Sequence, residues 1–265
     1  MRRRLTFGLS ALVVGALAVT LVGRAWSRRF LFPVHELPRA GDAPADVVER
    51  RFVARDGVSV RALELAGAPG ARIVVDFHNN REVIERRVEH ARSLRARGLG
   101  VLLVEYRGYG ASSGSPSEEG LYLDAEAALD ALAARGVGPD RIVLSGTSLG
   151  TGVAAEMARR GRGDRLVLVT PYTSIPDLVT SAVPVAPGEL LVRDHFDTLT
   201  KAPHIVARTV VIHGDADEIV PFWMGQRVAA AIRGARFVQV AGGRHGDLFA
   251  RAGSRILDEI AALDD

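Results

Sequence analysis

The sequence predicts an α/β fold, with a mostly parallel, twisted sheet covered by helices on both faces. Three observations carry this. Six short apolar runs rich in β-branched residues have the length of strands buried on both sides: Arg72–Phe77, Gly100–Glu105, Arg141–Ser145, Leu166–Thr170, Thr209–His213 and Arg236–Val240. Helical patterns over 82–97, 118–135, 149–160, 222–233 and 247–262 alternate with most of them. No repeat period or low-complexity tract interrupts the body, which at about 220 residues has the size of one domain.

The chain opens on a different pattern. Met1-Arg2-Arg3-Arg4 precedes Leu5–Gly23, nineteen residues without a charge. As a helix that run spans roughly 28 Å, close to the thickness of a bilayer's hydrocarbon. Residues 1–29 are therefore expected to form a membrane anchor. The alternative is a secretory signal cleaved after small residues such as Gly23 and Ala25, although such signals ordinarily have a shorter apolar core of about 7–15 residues. Arg2, Arg3, Arg4 and the amino terminus precede the run, and Arg24, Arg28 and Arg29 follow it. The positive-inside rule thus tips the N-terminus towards the cytoplasm and the domain outside it. Trp26, Phe30 and Phe32 are expected at the membrane interface.

Residues 30–46, with Pro38, Gly41 and Pro44, read as a linker, and 47–265 as the folded domain. Val47–Ala54 and Val58–Leu65 read as a hairpin around Asp56-Gly57. The rhythm of strand and helix then holds until 171–207, where five prolines mark a cap-like insertion between two strands.

Composition excludes several functions. At 48% hydrophobic and 25% charged residues the chain is that of a folded protein. It has no cysteine, so disulfides, thiolate metal sites and cysteine nucleophiles are ruled out. The net charge is +3, and Lys201 is the only lysine among 34 basic residues. The arginines are spread among acids rather than gathered on one segment, so no nucleic-acid partner is expected. Metal motifs of the H-E-x-x-H kind, a P-loop and a dinucleotide-binding glycine motif are absent, so neither metal nor cofactor is expected.

The strongest chemical signal is Gly146-Thr147-Ser148-Leu149-Gly150, set between a buried strand and a helix. The serine of such a G-x-S-x-G sequence sits on a strained turn that exposes its hydroxyl above the sheet, beside the free N–H groups of a helix start. A serine nucleophile needs a base, and the base needs an orienting acid. His245 follows the last strand and is the candidate base. Asp217 and Asp215 both follow the strand that ends in His213-Gly214, and both are candidate acids. The order serine, aspartate, histidine is that expected of this chemistry on an α/β sheet.

These residues resemble the alpha/beta-hydrolase superfamily over about 47–265, most closely its small membrane-anchored serine hydrolases of the depalmitoylase and esterase type. The resemblance rests on the Gly146–Gly150 elbow, Glu105-Tyr-Arg-Gly-Tyr-Gly-Ala-Ser-Ser-Gly114, His213–Pro221, Arg193–Leu199, His245 and Leu31-Phe-Pro33. It implies Ser148 as nucleophile, Asp217 as acid and His245 as base, with a small-molecule or acylated substrate. The family usually has His-Gly after the third strand, where this chain has His78-Asn79-Asn80. Asparagine tolerates left-handed backbone better than other non-glycine residues. The main-chain N–H groups of Leu149 and Asn80, with Asn79 as substitute, are therefore the expected oxyanion donors. His78 and His213 are expected to shape loops, and Arg107 to pin one by an ion pair.

The expected function is hydrolysis of carboxylic esters or thioesters through an acyl-enzyme. Two alternatives are an aminopeptidase-like amide hydrolase, using the same triad, and a non-catalytic, membrane-tethered binding module.

Overall fold

The computed structural model describes residues 20–262, apart from 39 and 186. Helix α1 occupies 20–31. It is followed by a hairpin of β1 (Val48–Val53) and β2 (Ser59–Leu65), and by β3 (Ile73–Phe77), α2 (Val88–Arg95), β4 (Gly100–Val104), α3 (Glu118–Ala134), β5 (Ile142–Thr147), α4 (Leu149–Arg159) and β6 (Arg165–Val169). Three short helices come next: α5 (Ile175–Ala182), α6 (Gly188–Leu191) and α7 (Thr198–Lys201). The chain ends with β7 (Arg208–Gly214), α8 (Phe222–Ala231), β8 (Arg236–Val240) and α9 (Leu248–Ala261).

The strands form one sheet in the order β1-β2-β4-β3-β5-β6-β7-β8. β1 and β2 are antiparallel to their neighbours, and the six strands from β4 to β8 are parallel. The alternation of side chains divides the interior into two layers. Val75, Leu102, Leu144 and Leu168 face α3, α4 and α8; Val74, Leu103, Val143 and Val167 face α2 and α9. Two-sided burial explains why these strands read as continuous apolar runs rather than as alternating ones. The hairpin turns at Asp56-Gly57, where Gly57 has a φ of +83°.

The helix expected over 82–97 is shorter in the structure. A 3₁₀ turn at Ile84–Arg87 precedes α2. Arg87 is buried at this junction, where its Nε and Nη2 donate to Asp76 at 2.5 and 3.1 Å. Glu82 takes a third bond at 3.2 Å, and Ser145 donates to Asp76 at 3.1 Å. Burial raises the Asp76 pKa, but the Arg87 charge together with the hydrogen bonds from Arg87 and Ser145 holds the carboxyl below the usual range.

At the N-terminus, residues 1–19 of the expected anchor lie outside the described residues. Among the described residues no helix is long and apolar enough to cross a membrane. Helix α1 runs to residue 31, past the boundary drawn at 29, and Leu31 and Phe32 are buried in the core. Phe32 meets the Phe196 ring edge-on, with centroids 6.3 Å apart, so it is not at an interface with Trp26 and Phe30. The sequence could not separate these three aromatic residues, because burial of Phe32 depends on a partner 164 positions away.

Replacing Asp76 by Asn should leave Arg87 buried without its full counter-charge. Urea denaturation at pH 7 should show a loss of about 3–5 kcal/mol. The ion pair is complete above the unfolded carboxyl's pKa of about 3.9 and fades as pH falls through the lower folded value, so the difference should narrow in acid.

Candidate active site

All the sequence-predicted site residues lie beyond the C-terminal ends of parallel strands. Ser148 follows β5 directly, with φ +51° and ψ −116°, a conformation that costs energy for a residue with a side chain. The neighbouring glycines make the turn possible. A Cβ on Gly146 would lie 2.4 Å from the Gly150 oxygen, and one on Gly150 would lie 2.0 Å from the Phe77 oxygen. The turn from β5 into α4 is thus packed against the end of β3 with no room for a methyl group.

His245 sits in the loop after β8. Its Nε2 is 3.2 Å from the Ser148 Oγ, and its Nδ1 is 2.9 and 3.1 Å from the two Asp217 oxygens. The Asp217 side chain is fully buried, whereas that of His245 is 20% exposed. The backbone N–H groups of Ile219 and Val220 donate to Asp217 Oδ1 at 2.9 and 2.8 Å, which fixes the carboxylate. Burial raises the Asp217 pKa, but hydrogen bonding to His213 and His245 outweighs it and holds the carboxyl well below the usual range.

Asp215, the competing acid, is turned elsewhere. Its oxygens accept from Gln239 Nε2 at 2.7 Å and Gly242 N at 2.6 Å, so it ties the start of this loop to the end of β8. His213 is buried beneath the pair. It donates through Nε2 to the Val220 oxygen at 3.0 Å and lies 3.4 Å from Asp217 Oδ2. Sequence reasoning took His213 as a loop former and missed its place against the acid. The available signal was the four-residue step from His213 to Asp217 across a tight turn.

The loop after β3 is held by its carbonyls. Tyr106 donates to the His78 oxygen at 2.9 Å, Tyr109 to the Asn80 oxygen at 3.2 Å, and the His78 Nδ1 to the Asn79 oxygen at 2.7 Å. Burial pushes the His78 pKa down to about 4, so the ring is neutral at pH 7. Among the described residues, no acceptor is bonded to the main-chain N–H groups of Leu149 and Asn80. The Asn80 side chain has a separate role: its Nδ2 donates to the Leu31 oxygen at 3.0 Å and the Phe30 oxygen at 3.4 Å, fastening the end of α1 to this loop. Nothing in the sequence signalled that bond.

The remaining motif residues are structural. Glu105 accepts from the N–H groups of Ala111 and Ser112 at 2.8 and 3.0 Å, and a Cβ on Gly110 would strike its carboxylate. Arg107 is paired with Asp124 and Asp56. Asp194 accepts from the Glu118 N–H at 2.8 Å and so holds the start of α3. Among the described residues no group of acids and histidines could hold a metal ion.

A cleft of about 570 Å³ opens beside Asn80 and His245 and runs between α2 and α9 over Phe249 and Leu257. A smaller cavity of about 230 Å³, lined by Glu64, Ala68 and Arg141, lies away from these residues.

Comparison with known proteins bears on the family and the fold. A family described as serine aminopeptidase, S33, matches residues 68–195. An uncharacterized protein of Mycobacterium tuberculosis is 34% identical over 264 residues, covering 94% of this chain and 91% of that protein. Alpha/beta hydrolase domain-containing protein 17C of Xenopus tropicalis is 32% identical over 192 residues, covering 68% of this chain and 58% of that one. The chain belongs to the alpha/beta-hydrolase superfamily. An esterase of Pyrococcus furiosus shares the fold of this alpha/beta hydrolase, with a TM-score of 0.68 at 16% identity over 86% of this chain and 95% of that one.

The geometry predicts that His245 carries an Nδ1 proton held against Asp217. In spectra of histidine-labelled protein, that proton should give a low-field resonance protected from exchange. The resonance should persist in Asp215→Asn and disappear in Asp217→Ala.

Proposed function

We propose that this alpha/beta hydrolase is a serine hydrolase that cleaves carboxylic esters and thioesters through an acyl-enzyme. The observation that carries the reading is the unbroken hydrogen-bonded chain from Ser148 Oγ through His245 to the buried Asp217. In this reading His245 Nε2 takes the Ser148 proton as the oxygen attacks the substrate carbonyl. Asp217 stays ionised, holds the Nδ1–H tautomer and stabilises the imidazolium. The free N–H groups of Leu149 and Asn80 would receive the developing oxyanion, and α4 adds the positive end of its dipole. His245 then returns the proton to the leaving group, and water releases the acyl group from Ser148 by the reverse sequence.

The family's description raises aminopeptidase activity as the second reading. A free amino terminus would need an unengaged acid near Ser148. The two acids that line the cleft are already engaged, Glu82 with Asn79 and Arg87 and Glu89 with Arg92, and Glu218 beside His245 is held by Arg244 and the His245 N–H. This favours an ester or thioester over a peptide N-terminus.

We also infer that the uncharged run Leu5–Gly23 anchors the protein in a bilayer with the catalytic domain outside the cytoplasm. The length of the run and the arginines around it support this. A secreted protein, cleaved within or after the run, is the alternative.

A fluorophosphonate probe should label the full-length protein once, and Ser148→Ala should abolish labelling while circular dichroism stays unchanged. Labelling that persists in this variant would overturn the assignment. On p-nitrophenyl esters, Asp217→Asn should lower kcat by about 10⁴-fold, by disfavouring the productive tautomer. Asp215→Asn should lose far less, and aminoacyl anilides should be poorer substrates than the esters.

A further inference from the structure

We propose that α1 and the cap segment around α5 and α6 form one face that lies on the surface of a phospholipid bilayer. The proposal rests on the membrane-anchor reading above and goes beyond it. An anchor alone needs only a tether, whereas here the folded domain itself meets the lipid.

Exposed apolar side chains are concentrated in this region. Among the described residues, twelve large apolar side chains are exposed, and seven of them lie on α1 or on the α5–α6 stretch of the cap. The helix repeat sorts those on α1. Gly23, Ser27 and Leu31 form the packed stripe: Gly23 lies against the Leu191 side chain, the Ser27 hydroxyl donates to the Leu191 oxygen at 2.9 Å, and Leu31 is buried. Val22, Trp26 and Phe30 form a second stripe, with relative exposures of 69%, 69% and 56%. The Trp26 and Phe30 rings stack with centroids 6.0 Å apart. Across the contact the cap contributes Val183, Val185 and Leu190, which are 49%, 91% and 56% exposed. Such residues are poor choices for a surface that stays in water.

The charges around this face are mainly basic, with Glu189 of α6 an exposed acid among them. Arg24, Arg28 and Arg193 line a cleft of about 420 Å³ between α1 and the cap. Arg28 is paired with Asp194, while Arg29 and Arg193 have no ion pair among the described residues. Apolar and aromatic side chains beside arginines suit the boundary between acyl chains and anionic head groups.

Continuity of the chain argues for lipid over a second protein. The uncharged run ends at Gly23, inside α1, and Phe30 lies seven residues beyond it, about 10 Å along the helix. A bilayer that holds the run is therefore within reach of Trp26, Phe30 and the cap.

The chain has no native cysteine, so single positions can be labelled in the full-length protein. Val185→Cys and Val206→Cys are a matched pair, because each valine is 91% exposed. Val206 precedes β7, at the end of the sheet opposite the site, and serves as the control. Each variant is labelled with an environment-sensitive dye and reconstituted in phosphatidylcholine–phosphatidylglycerol vesicles whose acyl chains are brominated. We expect both to float with the vesicles, the dye at 185 to lose about half its emission, and the dye at 206 to be unchanged. Flotation without quenching at 185 would overturn the docked face while leaving the anchor standing. Absence of flotation would overturn the anchor and the docked face with it. Protection at 185 that grows with protein concentration but ignores the bromine would assign the face to a second copy and overturn the proposal.

Discussion

The close approach of the β5–α4 turn to the end of β3 is the constraint on which the site depends. Gly146 meets the Gly150 backbone, and Gly150 meets the Phe77 and His78 carbonyls, at distances that leave no space for a side chain. This contact forces Ser148 into its left-handed conformation and lifts its hydroxyl clear of the sheet. It also brings the start of α4 beside the His78–Asn80 loop. Parallel pairing of β3 with β5, Phe77 opposite Gly146, supplies the register that makes the approach possible.

The sheet was largely legible in the sequence, because a strand buried on both faces must be apolar throughout and a helix between two such strands must be amphipathic. The elbow was legible because glycine on both sides of a serine, at a strand end, has few other uses. Asp215 and Asp217 were harder to separate. Each lies within a few residues of the β7 end, and only the turn decides between them: it aims Asp217 inward to two backbone N–H groups and a histidine, and leaves Asp215 outward against Gln239. Residues 82–87 and 20–32 were misread in detail for a common reason. Burial of Arg87 and Phe32 is set by partners from other parts of the fold, Asp76 and Phe196, which local periodicity does not contain.

Much of what resembles a catalytic motif in the sequence is scaffold. The polar residues of Glu105–Gly114 tie a loop to itself and to α3, and the tyrosines of that segment hold the carbonyls of the loop beside Ser148. The Asn80 N–H shares its peptide unit with the Asn79 carbonyl, which the buried His78 ring holds. In this way residues that touch no substrate can still determine where N–H groups point.

The bond from Asn80 to the Leu31 and Phe30 carbonyls gives the first segment a bearing on maturation. Leu31 and Phe32 belong to the core, and α1 is latched at both ends, to Leu190 and Leu191 at one and to Asn80 at the other. A signal peptidase acting after Ala25 would free Gly23 and Arg24 from the cap, yet spare the latch on Asn80. Proteolysis only six residues further on would release that latch and loosen the loop beside Ser148. The fold therefore draws a line along α1: a cut before the middle of that helix leaves the Asn80 latch in place, and a cut at its end removes it.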